Sequence, residues 1–146
     1  MTYGELDDKA LSWATESAFG VNAESMPKQV VICPIRIEKF FKEFHEVLSE
    51  NKLDQEEVKS GFQVKGGERQ VLFCRGGMGA SMFADLSYIL CHCKNIQEII
   101  FVGTGGGLGH NIETVDINIP LLCLRLDKVL EVLLPPKLPA EADIEM

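Results

Sequence analysis

Two glycine clusters stand behind short apolar runs, and this pairing restricts the fold more than any other feature of the chain. Gly76-Gly77-Met78-Gly79-Ala80-Ser81 follows Val71-Leu72-Phe73-Cys74, and Gly103-Thr104-Gly105-Gly106-Gly107-Leu108-Gly109 follows Ile99-Ile100-Phe101-Val102. Each apolar run reads as a buried strand and each cluster as the turn at its C-terminal end. Ala80 to Cys93 reads as a helix between them, with Phe83, Leu86, Ile89 and Leu90 spaced for burial. The unit is strand, loop, helix, strand, loop, and open α/β sheets take ligands where such loops leave the strands. Glycine also lets an anion approach the backbone amides closely, so these loops suit phosphate.

Composition narrows the setting. The 146 residues suit one domain of ordinary size, and 46% hydrophobic residues allow a core. The net charge of −8 comes without a basic patch, which argues against nucleic acid as a partner. No run approaches the ~20 apolar residues of a membrane span. The acidic start, Met1 to Asp8, lacks the pattern of a signal peptide, and the five scattered cysteines suit reduced thiols, so a cytoplasmic protein is expected.

Residues 1–27 read as an N-terminal extension in which Trp13, Phe19 and Val21 form a helix or a clasp. Val30 to Cys33 is the first strand and Pro34 ends it. Ile37 to Leu48 has the three-to-four spacing of a helix face. Asn51 to Lys59 is charged and reads as a solvated helix or loop. Gly61 to Val64 and Arg69 to Cys74 flank Lys65-Gly66-Gly67-Glu68, a hairpin signal. Glu98 to Val102 is continuous in apolar character, as for a strand covered on both faces. A further strand is expected around Ile117 and Ile119. Leu121 to Leu134 reads as a strand running into a short helix, and Pro135, Pro136 and Pro139 stop regular structure.

The ordered motifs resemble the nucleoside phosphorylase superfamily, the purine nucleoside and uridine phosphorylases with the related nucleosidases. Val30 to Arg36, Gly77 to Ser81, Ile100 to Leu108 and Val115 to Pro120 follow the family's order at compatible spacing. The resemblance covers about residue 28 to the end, read as a partial domain over 28–146. It implies an α/β fold: a mixed twisted sheet flanked by helices, phosphorylase/hydrolase-like and truncated relative to the family. It further implies cleavage of a nucleoside's glycosidic bond by inorganic phosphate as co-substrate, with no cofactor or metal, and a homo-oligomer.

By that resemblance Arg36, Thr104, Gly105 and Gly106 bind phosphate and Met78 packs on the ribose. Arg36's planar fork suits phosphate, although pairing with Glu38 or Glu43 is its ordinary surface alternative. Met78 also fits a core residue and Thr104 a turn cap. The sequence departs from the family pattern at Ile32-Cys33 before Pro34, at Val115, and at Phe101, where a second phosphate-binding arginine is common. Phe101 favours a hydrolytic nucleosidase as the alternative. The family's ribose-gripping Met-Glu pair and its base-holding residue find no match after Thr104, so an incomplete catalytic domain, or a non-catalytic ligand-binding remnant, is expected. Cys91-His92-Cys93 lacks a second ligand pair at zinc spacing and reads as buried thiols. His45 reads as solvated, and His110 is a loop residue without an evident partner.

Overall fold

A computed structural model describes residues 6–34, 47–77, 79–114, 116–124 and 138–141. Two compact units divide the chain, 1–104 and 105–146.

The first unit opens with helix α1, Asp8–Phe19. Asp7 caps it, its carboxylate accepting from Ala10 N at 2.7 Å, an interaction worth about 1 kcal/mol. Leu11, Thr15 and Phe19 recur every fourth residue and form the buried stripe. Left-handed Gly20 stops the helix, and its N–H donates to Glu16 O. Trp13 lies in this helix, as one of the two expected forms has it, and is 72% exposed because it falls on the opposite side of that stripe.

Five strands follow: β1 Gln29–Cys33, β2 Asp54–Val58, β3 Gly61–Gly66, β4 Arg69–Arg75 and β5 Glu98–Phe101. Their order is β2-β3-β4-β1-β5. β1 runs parallel to both β4 and β5, while β2, β3 and β4 form an antiparallel meander. Helix α2, Ala80–Cys91, connects β4 to β5 across β1. The fold is therefore α/β, a mixed sheet flanked by helices.

Alternation along the strands makes two cores. Val30 and Ile32 of β1 and Leu72 and Cys74 of β4 face Leu11, Phe19 and Leu90 of the two helices. On the other face Phe62 and Val64 of β3 pack with Phe73, Leu53 and Leu48, the last in the helical residues 47–50. Phe62 and Phe73 are direct cross-strand partners and their rings stack at 4.8 Å.

Four expectations are corrected. Asn51 to Lys59 contains strand β2, because pairing with β3 recruits a charged segment. Its exposed Asp54, Glu56 and Glu57 suit a sheet edge, and Lys65 ties to Glu56 at 2.7 Å. β5 is not covered on both faces: Ile100, Phe101 and Val102 are exposed, and β5 is the last strand on its side among the described residues. Around Ile117 and Ile119 there is no strand among the described residues, and both side chains are exposed. In the second unit β6, Leu122–Cys123, instead pairs with β7, Ala140–Glu141, so regular structure resumes after Pro139. The expected helix over 37–48 lies outside the described residues except for its end. Arg125 to Leu134, Pro135, Pro136 and the tail after Glu141 lie outside them as well.

Candidate functional site

Three parallel strands end on one edge of the sheet, and hydrogen bonds hold their ends level. Gly76 N donates to Cys33 O and Val102 N donates to Ile32 O, each at 2.9 Å. The strand register sets Cys33 beside Arg75 and Ile32 beside Phe101. β1 thus lies between the loop that leaves β4 and the loop that leaves β5. A Cβ added to Gly103 would come within 3.9 Å of Pro34 Cγ, so the residues after β1 and β5 are neighbours.

The described elements that follow β1 and β4 pack on opposite faces of the sheet. After β1 the chain reaches Leu48, on the sheet face of Phe62 and Val64. After β4 it enters α2, whose Leu90 lies on the other face with α1. Such a reversal opens a crevice between the C-terminal ends of adjacent parallel strands, the usual ligand position of open α/β sheets.

The first glycine cluster forms the lip of this crevice. Gly77 holds φ at +64° and Gly79 at +106°, values that L side chains rarely adopt. Gly79 is also the N-cap of α2 and offers no side-chain cap. The helix therefore presents unsatisfied N–H groups and the positive end of its dipole at this edge.

Phe101 has a packing role. Its ring meets Phe83 of α2 edge to face at 5.0 Å, which fixes the helix against the end of β5. Cys74, beneath the loop, is no nucleophile: burial, with a smaller contribution from nearby Cys33, pushes its thiol up to about 12. Cys93 is likewise pushed up to about 11, by burial first and Cys91 second. Cys91 itself is exposed, which corrects its reading as a buried thiol. Among the described residues no group of three or more His, Cys, Asp and Glu side chains could hold a metal. His110 is exposed, and His45 lies outside the described residues.

The expected site residues fall in three places. Thr104 is exposed and ends the first unit, two residues past Val102 at the β5 end. Gly105 and Gly106 open the second unit, and a Cβ on either would meet nothing within 4 Å. Arg36 and Met78 lie outside the described residues. Arg75, exposed, ends β4 beside Cys33 and directly before the first glycine cluster.

A polar cleft of about 560 Å³ lies elsewhere, between residues 20–26 and the sheet residues Glu56, Val58, Gln63, Lys65 and Gln70. Its polar groups satisfy one another: Lys65 holds Glu56 at 2.7 Å and Gln70 Nε2 donates to Gln63 Oε1 at 2.6 Å.

No helix among the described residues is long and apolar enough to cross a membrane. Comparison with protein families finds a match to the phosphorylase superfamily over residues 30–146. No curated protein matches the chain.

Proposed function

From the premise that the chain belongs to the phosphorylase superfamily, we propose that it binds inorganic phosphate at the C-terminal ends of β4, β1 and β5 as the attacking group for cleavage of a nucleoside's glycosidic bond. The observation that supports this most is the crevice between β1 and β4, lipped by left-handed Gly77 and the uncapped start of α2. Backbone N–H groups and a helix dipole attract an oxyanion without a large net positive charge. That matters in a chain of net charge −8.

In this reading phosphate sits beneath the sugar, and Thr104 supplies a hydroxyl from the β5 side. Arg36, which follows Pro34 by two residues, supplies a guanidinium. Met78 packs on the ribose. Phosphate oxygen attacks the anomeric carbon as the bond to the base breaks, and the fixed donors hold the anion in line with that carbon. Donors fixed before binding need no rearrangement at the moment of reaction.

Phe101 favours a second reading, hydrolysis by water. Its aromatic ring, packed on Phe83, places no cation at the end of β5.

The test is release of free base from inosine, adenosine and uridine by the full chain, with and without phosphate, alongside calorimetric titration of phosphate. Phosphate-dependent release supports phosphorolysis. Phosphate-independent release selects the hydrolytic reading. Phosphate binding without release supports the anion site alone, as expected of a ligand-binding portion. Absence of both phosphate binding and base release overturns the proposal.

A further inference from the structure

Arg75 is the last residue of β4 and stands beside Cys33, the last residue of β1. It is exposed, and among the described residues its side chain has no ion pair and no hydrogen bond. Its backbone N–H donates to Ser60 O at 2.8 Å, and Gly76 N donates to Cys33 O at 2.9 Å. The strand register therefore fixes the main chain beside Cys33, and among the described residues the side chain has no partner.

Exposure alone would say little. Arg69, at the other end of the same strand, is exposed as well. Position separates the two. β4 spans seven residues, which puts Arg69 about 20 Å away, at the hairpin turn. Arg75 instead adjoins Gly76 and Gly77 and the start of α2. Strands are spaced by about 4.8 Å, so an anion above β1 has β4 on one side and β5 on the other, each one strand away.

Resting on the phosphate reading above, we propose that Arg75 is a phosphate-binding residue, gripping the anion from the β4 side opposite Thr104. A guanidinium offers two parallel N–H donors to two phosphate oxygens, so it fixes the orientation of the anion as well as its charge. Arg75 would then supply at the end of β4 the cation that Phe101 does not supply at the end of β5. This makes the crevice competent for phosphate rather than for water alone.

The experiment is calorimetric titration of inorganic phosphate into the full chain and into Arg75→Gln, Arg75→Lys, Arg69→Gln and Thr104→Val. Arg75→Gln should weaken phosphate binding at least about tenfold, the loss of a charge-assisted fork. Arg75→Lys should lose about threefold, because the charge stays and the fork goes. Arg69→Gln should bind as the parent does. Urea midpoints should stay level throughout, since both arginines are exposed. Should Arg75→Gln fail to fold, the lysine variant decides, and parent-like affinity in it overturns the assignment. Parent-like binding by Arg75→Gln with loss in Thr104→Val overturns Arg75 and leaves the phosphate reading standing. Equal losses in Arg75→Gln and Arg69→Gln reveal general charge attraction and overturn the contact. A parent chain that binds no phosphate overturns both.

Discussion

The two glycine clusters look alike in sequence and differ in what surrounds them. The first is built into the sheet. Gly76 N bonds Cys33 O, Gly79 O accepts from Phe83 N at 3.2 Å, and Met82 lies where a side chain on Gly77 would go. The second, from Gly105 onward, is open. Gly105 and Gly106 have empty space at the Cβ position, and Leu108 is fully exposed. Its own local support is Ile112, whose N–H donates to Gly109 O at 3.3 Å and whose side chain underlies Gly107. Glycine in the first cluster is demanded by backbone geometry and crowding; in the second, Ile112 crowds Gly107 while Gly105 and Gly106 meet nothing. The first is thus a turn fixed by the sheet and by α2, and the second is more open around Gly105 and Gly106.

The largest expected difference lies in what supports each loop. Ile32 is fully buried and touches the position a Gly76 Cβ would take. Ile32→Ala should cost about 2–5 kcal/mol in urea unfolding. Ile112 is 39% exposed, and Ile112→Ala should cost under about 1 kcal/mol. Similar losses would erase the contrast.

This difference also marks what could be read from the sequence. The unit β4, α2, β5 was legible because its apolar periods and glycine stops are local signals. β2 was hidden because Asp54-Gln55-Glu56-Glu57 becomes a strand only through its pairing with β3. The strand expected at Ile117 and Ile119 fails for the converse reason: the apolar residues are there, but no pairing strand is found among the described residues. The glycines pointed to the strand ends, yet they could not show that Arg75 and Cys33 lie side by side. That juxtaposition depends on β1 inserting between β4 and β5.

Alkaline pH should act on the first loop's foundation. Burial raises the Cys74 thiol from 9.0 to about 12. The folded state therefore keeps a proton that the unfolded chain gives up, so this contribution is complete below about pH 9. It is lost as pH rises toward 12, on the order of 2–4 kcal/mol. Urea midpoints measured across that range should fall less steeply in Cys74→Val. An identical slope would remove Cys74 as the cause.

Backbone demand gives a smaller effect. Gly77→Val forces a branched side chain into a left-handed conformation against Met82 and should cost about 1–3 kcal/mol. Gly105→Ala should stay within about 0.5 kcal/mol of the parent. The smallest change is Phe83→Leu, which keeps apolar bulk but loses the edge-to-face contact with Phe101, about 0.5–1.5 kcal/mol. Equal midpoints for Phe83→Leu and the parent would show that the contact does not fix α2.

The most direct test of the phosphate site follows backbone amide chemical shifts of the full chain during titration with inorganic phosphate. The account predicts saturable shifts at Gly76, Gly77, Gly79, Gly103 and Thr104, with the hairpin turn at Gly67 and Glu68 unmoved. Shifts confined to the hairpin, or no saturable shift at the strand ends, would contradict it.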